Sequence, residues 1–337
     1  MNDTLGIEKA LTLFPDQLKE SWGQAYGTNL PQFSPKKVVI SGMGGSSLAG
    51  RIIAGIFEAE SSSEIVVYND YALPSFIDKD WVLIANSYSG NTEETLSGVE
   101  AGKKLGMQIA GIATGGKIGE MIKNGEIPGV ILTPTTNPSN YPKSALGVSL
   151  GGLAGLMAKT GLNNLSPENF EESVNELTEI RKNWDAKAVA ANFISALPVL
   201  IGARPFLGAI HAGRNVINEI GRTFAVYFDL PELDHHLVEA TLYPKNLFQN
   251  IYYLFFESDF YNERVKKRID VTKELFDTQK LKYGEFKLQG KTKLTQSLEI
   301  PHFCAWVALN TSFLNGEDPG PEPWIIKLKE SLSQPVH

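Results

Sequence analysis

The stretch KKVVISGMGGSSLAGRIIAGIFEAE, residues 36–60, decides the fold class of this chain. An apolar run ends at a glycine-rich turn, after which Leu48, Ile52 and Ile56 recur at the spacing of one helix face. The order strand, tight turn and helix is typical of the unit that opens an α/β sheet. The stretch therefore predicts a buried strand that feeds directly into a helix.

The same alternation continues along both halves of the chain. Strand-like runs in the first half are EIVVYND (64–70), WVLIANS (81–87), QIAGIAT (108–114) and GVILTP (129–134). Those in the second half are LPVLIGARP (197–205), FAVYFDLP (224–231) and NLFQNIYYLFFE (246–257). Strands that alternate with helical stretches predict an α/β fold, in which each half is a doubly wound parallel sheet flanked by helices. The two halves could be one fold used twice.

The domain organisation predicted from this pattern has three parts. Residues 1–160 form an N-terminal domain with a leading helix, and the polar helical residues 161–192 form a bridge. Residues 193–337 form a C-terminal domain that ends with an apolar helix around Phe303–Leu314 and a polar helix at residues 323–332.

Composition excludes several classes of function. The net charge of −7 disfavours nucleic acids and anionic membranes as partners. The single cysteine, Cys304, excludes an intrachain disulfide and is interpreted as a buried thiol. The sequence shows no apolar stretch of membrane-spanning length, and the N-terminal residues lack the features of a signal peptide. We therefore expect a soluble, cytoplasmic protein.

Two loops carry the residue types that bind phosphate. The first, residues 42–47, combines three glycines with Ser46 and Ser47 at the start of a helix, where free N–H groups stabilise an anion. The second, residues 87–95, supplies several hydroxyl groups after another buried strand, more than helix capping requires. Because both loops follow parallel strands, we expect them to meet at the carboxyl edge of the sheet and to bind a phosphate group there.

Other ligands are less well matched by these loops. The pattern GxxxxGK[ST] of nucleotide hydrolases is absent. A dinucleotide site is the main competitor, since Gly42 and Gly44 open a helix and Asp70 follows the next strand. However, Ser47 stands at the third glycine position of the GxGxxG pattern. No metal-binding pattern is found, so a metal is not expected.

The sequence resembles the SIS (sugar isomerase) domain family, in particular the bifunctional phosphoglucose/phosphomannose isomerases. The segments that carry the resemblance occur in family order from about Val38 onward: GMGGSSLAG, YALP, SYSGNTEETL, TGGK, the NE of VINEIGR, PELDHH and GEDPGPEPWIIKLKESL. The resemblance implies two tandem SIS domains and the isomerisation of glucose 6-phosphate, with mannose 6-phosphate second, to fructose 6-phosphate through an enediol. It also implies a homodimer with shared active sites and no cofactor.

The resemblance further implies roles for individual residues. The residues that would hold the phosphate are Gly44, Gly45, Ser46, Ser87, Ser89 and Thr92. Glu219 would move the proton between C1 and C2, and His235, from this chain or the partner, would assist ring opening. Lys329, with Lys327 as the alternative, would act in the same step.

The sequence also departs from the family pattern. Lys143 stands where the family has an arginine that stabilises the enediolate, and lysine lacks the planar two-pronged geometry of arginine. Ile220, Arg222 and His236 also replace the usual residues near Glu219 and His235.

Without the resemblance, the three catalytic candidates have ordinary interpretations. Glu219 could be a surface glutamate paired with a nearby arginine, His235 a loop histidine, and Lys329 a solvated lysine. A sugar-phosphate sensor without turnover, or an isomerase of another phosphosugar, are the alternatives for function.

Overall fold

The computed structural model describes residues 2–33, 37–58 and 64–332. Its first sheet has five parallel strands in the order β2-β1-β3-β4-β5. They are β1 Lys37–Ser41, β2 Glu64–Tyr68, β3 Val82–Asn86, β4 Gln108–Ala113 and β5 Gly129–Ile131. Every residue of β3 is buried, as expected for a strand with a helix layer on each face.

The second sheet has four parallel strands in the order β7-β6-β8-β9. They are β6 Leu197–Ala203, β7 Val226–Leu230, β8 Ile251–Glu257 and β9 Lys282–Lys287. The order repeats that of the first four strands of the first sheet. The predicted α/β fold with parallel sheets flanked by helices is confirmed.

The α-helices surround both sheets. In the first half they are α1 Ile7–Thr12, α2 Phe14–Gly27, α3 Gly44–Phe57, α4 Glu93–Leu105, α5 Gly116–Lys123 and α6 Leu146–Lys159. The following ones are α7 Pro167–Ile180, α8 Ala186–Phe193, α9 Leu207–Glu219, α10 Lys245–Phe248, α11 Glu263–Gln279, α12 Lys293–Leu314 and α13 Pro323–Leu332. Among the described residues, no helix is both long enough and apolar enough to cross a membrane.

Three elements differ from the sequence prediction. The strand expected over residues 246–257 begins only at Ile251, because the residues before it form the short helix α10, Lys245–Phe248. The apolar helix expected around Phe303–Leu314 begins ten residues earlier, at Lys293, and its start was therefore wrong. The first half of α12 contains polar residues and Pro301, but these are buried by the packing of the helix against α7, α8 and α9. The edge strand β9, sequence KYGEFK, was missed because only its alternation marks it as a strand.

Helices α2 and α6 cross at very short distance through glycines on α6. A Cβ atom placed at Gly151 would lie 2.3 Å from the carbonyl oxygen of Leu18, and one at Gly155 would lie 2.9 Å from that of Trp22. Glycine is thus required where backbone meets backbone. This contact holds the leading helix against the first sheet.

The crossing predicts opposite effects for two glycine-to-alanine substitutions. Gly151→Ala should destabilise the protein by about 1–3 kcal/mol, because the backbone of α2 must move to admit the methyl group. Gly23→Ala, at an exposed position of α2 with open space around it, should stabilise the protein by about 0.5–1 kcal/mol. Urea unfolding measures both, and equal effects would contradict the packing described here.

Candidate active site

The two glycine- and serine-rich loops meet at the carboxyl edge of the first sheet. Helix α3 begins at Gly44, whose φ of 52° lies in the left-handed region that favours glycine. The Ser46 hydroxyl oxygen accepts a hydrogen bond of 3.2 Å from the Tyr88 N–H, and the Asn86 amide donates one of 2.9 Å to the Ser46 carbonyl. The loops are therefore cross-linked and form one surface.

The second loop is shaped by its own hydroxyl groups and a glycine. The hydroxyls of Ser87 and Thr92 lie 2.8 Å apart, and Ser87 Oγ accepts a bond of 3.1 Å from the Gly90 N–H. Gly90 has a φ of 73°, and a Cβ atom there would lie 1.8 Å from the Gly115 carbonyl oxygen. Ser89 is exposed at the loop tip. The fold thus brings Gly44, Gly45, Ser46, Ser87, Ser89 and Thr92 to one edge.

A short 3-10 turn, Pro142–Ser144, connects this edge with the second half of the chain. A Cβ atom at Gly45 would lie 3.7 Å from the Pro142 carbonyl oxygen, so the turn lies directly beside the first loop. The side chain of the adjacent Lys143 is fully buried and forms an ion pair of 3.3 Å with Glu322. Its ammonium group also donates hydrogen bonds to the carbonyl oxygens of Pro319 and Gly320.

Glu219, the last residue of α9, lies beside Glu322 within hydrogen-bonding reach. Burial raises the pKa of Glu219 to about 7, and the hydrogen bond and negative charge of Glu322 act in the same direction. The positive charges of Lys143 and Lys329 oppose this rise without cancelling it. Near neutral pH the Glu219 carboxyl can therefore both bind and release a proton.

The structure distinguishes the two candidate lysines of α13. Lys329 is exposed, yet its charge acts on Glu219. The ammonium of Lys327 instead lies over the ring of Trp324, 6.0 Å from its centroid. The two lysines of α13 therefore have different surroundings.

His235 is not part of this cluster within one chain. Glu219 precedes β7, at the amino edge of the second sheet, whereas His235 follows β7 at the end of the 3-10 turn Glu232–His235. The five residues of β7 separate the two edges by roughly 16 Å. His235 is exposed, and the neighbouring His236 ring lies 6.0 Å from that of Phe228.

Glu322 and the contacts of Arg222 were not identified from the sequence. Arg222 donates to the carbonyl oxygens of Asp318 and Pro321, so it fixes the loop that presents Glu322. Within the described residues, Oε1 of Glu322 is buried and accepts no hydrogen bond. Glu322 lies in the segment GEDPGPEPW, residues 316–324, but no spacing within that segment distinguishes Glu322 from the other acidic residues. Among residues 2–33, 37–58 and 64–332, no cluster of side chains has the composition of a metal site.

Known structures with this arrangement of sheets include phosphosugar isomerases. The tagatose-6-phosphate ketose/aldose isomerase from Escherichia coli aligns with a TM-score of 0.73, covering 96% of this chain and 98% of that chain at 14% sequence identity. The fold is therefore that of a solved phosphosugar isomerase.

Comparison with known sequences identifies the family of the chain more closely than the fold does. A family model described as the bacterial phospho-glucose isomerase C-terminal SIS domain matches residues 182–332. The bifunctional phosphoglucose/phosphomannose isomerase of Aquifex aeolicus is 30% identical over 303 residues, which cover 89% of this chain and 91% of that protein. The protein of the same name from Caldicellulosiruptor bescii is 28% identical over 332 residues, covering 95% and 97%. This chain belongs to the bifunctional phosphoglucose/phosphomannose isomerase family.

The raised pKa of Glu219 predicts a pH-dependent cost to stability. The pKa of Glu219 is about 7 in the folded protein and near 4.5 in the unfolded chain. The contribution of the protonated carboxyl to the free energy of unfolding is therefore fully present below about pH 4.5 and is lost as the pH rises through 7. Glu219→Gln should thus stabilise the protein more at pH 8 than at pH 5, by about 2 kcal/mol.

Urea unfolding of wild type and variant at the two pH values measures this difference. The control is Glu172→Gln, at an exposed position of α7. A comparable pH-dependent gain in the control would contradict the assignment to Glu219.

Proposed function

We propose that this protein is an aldose–ketose isomerase that interconverts glucose 6-phosphate, and also mannose 6-phosphate, with fructose 6-phosphate through an enediol. The observation that carries the proposal is the half-buried Glu219 carboxyl, whose pKa of about 7 suits proton transfer in both directions. The names of the family members support the choice of substrates. The reaction transfers one proton and needs no metal or nucleotide cofactor.

The phosphate group would bind at the joined loops of the first sheet. Backbone N–H groups at the start of α3 and the hydroxyls of Ser46, Ser87, Ser89 and Thr92 are donors suited to its oxygens. The turn Pro142–Ser144 continues from these loops to the carboxyl pair. A phosphosugar anchored at the loops would therefore extend its C1 and C2 atoms toward Glu219.

Glu219 would take the proton from C2 and return it to C1 on the same face of the enediol. Burial and Glu322 keep the pKa of this carboxyl high. Glu322 Oε1, which pairs with the Lys143 ammonium at 3.3 Å, has a lone pair left to accept a hydrogen bond from a sugar hydroxyl. Lys329 supplies positive charge beside the developing oxyanion. Lys143 contributes charge as well, but its ammonium donates to Pro319 and Gly320, so we assign it mainly the positioning of Glu322.

His235 would act on the active site of a second copy of the chain. In its own chain it lies at the opposite edge of the second sheet from Glu219, and it cannot reach that carboxyl. Large apolar side chains are exposed near both residues. Phe224 and Trp324 are 72% and 77% exposed on the Glu219 side, and Leu242 and Tyr243 are 67% and 73% exposed after His235. A symmetric dimer that joins these patches would bury them and complete the site.

The two sheets would correspond to two tandem SIS domains, with the helices of residues 161–192 between them. The same strand order in both sheets supports this assignment. The family model matches the second half, beginning at residue 182. A cytoplasmic location would accord with a phosphorylated substrate.

Incubation of fructose 6-phosphate with the enzyme in D2O containing EDTA tests the reaction directly. Wild type should form glucose 6-phosphate or mannose 6-phosphate with deuterium at C2, observed by NMR. Glu219→Gln should lose this exchange by at least about 10³-fold while it retains affinity for the ligand, because only proton transfer is removed. Glu172→Gln should behave as wild type. Binding without exchange in the wild type would indicate a sugar-phosphate sensor instead.

Mixed dimers test the position of His235. Glu219→Gln and His235→Asn should each be inactive or strongly impaired alone. Co-expressed with two different tags and purified as heterodimers, they should regain about half of wild-type turnover, because each heterodimer has one site with both defects and one intact site. Purified heterodimers with no regained turnover would show that His235 acts within its own chain, and a fully active His235→Asn homodimer would show that it does not act at all.

A further inference from the structure

The strand–helix–strand unit that opens each sheet is repeated with a constant numbering offset. Val38 of β1 pairs with Ile65 of β2, and Val199 of β6 pairs with Val226 of β7. An offset of 161 residues maps the first pair onto the second. The helices between them, α3 and α9, correspond under the same offset. The two halves therefore share one unit in the same register.

The offset gives the catalytic carboxyl a counterpart. Glu219 minus 161 is Glu58, which follows the last residue of α3 as its C-cap. Likewise, Gly42–Ser47 of the first phosphate loop corresponds to residues 203–208, which follow β6. The proposed active site lies between the carboxyl edge of the first sheet and the amino edge of the second. Its counterpart would lie between the carboxyl edge of the second sheet and the amino edge of the first.

A cavity of about 400 Å³ is found at that place. Arg204 and Pro205, after β6, line it on one side, and Glu58 and Glu64, at the end of α3 and the start of β2, line it on the other. Its volume lies within the range of small-molecule sites. None of these residues belongs to the proposed active site.

The polar groups of this cavity differ from those of the hydroxyl-rich phosphate loops. Arg51, Arg204 and His211 project from α3, the β6–α9 turn and α9. Burial and the positive charges of Arg214 and Arg51 lower the pKa of His211 to about 4. The Arg214 guanidinium lies 5.6 Å over the ring of Tyr227, and its Nε is buried without a hydrogen-bond partner. Arg51 and Arg214 therefore place two positive charges close to His211.

The Glu58 carboxylate, on the other side of the cavity, forms only an exposed ion pair. Glu58 pairs with Arg204, but their side chains are 46% and 70% exposed. Exposed ion pairs contribute little to stability, so an anionic ligand can replace Glu58 at the guanidinium at small cost. Arginine is well suited to this exchange because it binds phosphate oxygens with two parallel N–H groups.

We propose that this cavity is a second binding site, specific for a small phosphate-bearing anion, which Arg204 and Arg51 hold beside His211. It is related to the isomerase site by the internal repeat of the chain, with guanidinium groups in place of the serine and threonine hydroxyls. The inference depends on the position of the proposed active site but not on turnover there.

Isothermal titration of the full-length protein with inorganic phosphate, which is not converted, tests the stoichiometry. Wild type should bind two equivalents per chain. Arg51→Gln/Arg204→Gln should bind one, while its kcat/KM for fructose 6-phosphate stays within about twofold of wild type. Ser87→Ala/Thr92→Val should lose the other equivalent and with it the turnover. The control Arg264→Gln, exposed on α11, should keep both.

A single equivalent in the wild type, or a second equivalent that survives the arginine substitutions, would overturn the proposal. An equal loss in Arg264→Gln would do the same, since it would reflect net charge alone. Two bound equivalents without isomerase turnover would instead refute the proposed function and leave the second site intact.

Substitution of Glu58, which pairs with Arg204, should change the affinity for phosphate in the opposite direction from the arginine substitutions. Glu58→Gln should bind phosphate at the second site up to about fivefold more tightly, because Arg204 no longer has an ionic partner. The ring signal of His211 in histidine-labelled protein should shift on addition of phosphate in this variant and in wild type. Weaker binding in Glu58→Gln, or a stationary His211 signal, would count against the site.

Discussion

Close approach of helices α3 and α9 sets the relation between the two halves of the molecule. A Cβ atom at Gly208 would lie 2.2 Å from the Arg51 carbonyl oxygen, and one at Gly55 would lie 2.3 Å from that of Pro205. Gly208 of α9 thus meets the backbone of α3, and Gly55 of α3 meets the backbone of the turn just before α9, and only glycine fits at these two positions. This contact places the carboxyl edge of each sheet toward the amino edge of the other, and both the carboxyl pair and the second cavity lie at such junctions.

The active-site carboxyls illustrate how burial and charge are combined. A carboxyl buried alone would simply remain protonated, and one beside a lysine alone would remain ionised. Here Glu322 raises the proton affinity of Glu219 while Lys143 and Lys329 lower it, and the pKa settles near neutrality. The four groups come from three distant parts of the chain, so this balance exists only in the folded protein.

Sequence patterns predicted most strands of the two sheets and the meeting of the two glycine- and serine-rich loops, because the signals for both are local. The run from Val38 to Ile56 and the loop after β3 contain their own strand, turn and helix signals. The start of α12 was wrong because its polar residues are buried by long-range packing, which periodicity does not record. Glu322 was missed for a similar reason, since its role arises from contacts with Glu219 and Lys143 far away in sequence. The roles of His235 and Lys329 in catalysis remain predictions.

The loop of residues 318–322 is a meeting point of three chain regions. The Thr4 N–H donates to the Asp318 carboxylate, Lys143 to the Pro319 and Gly320 carbonyls, and Arg222 to those of Asp318 and Pro321. The C-terminal segment is therefore not an appendage that can be trimmed. Cleavage ahead of Asp318 would remove Glu322 and Lys329 together and leave the buried Lys143 ammonium without its acceptors, so the acidity of Glu219 would change as well.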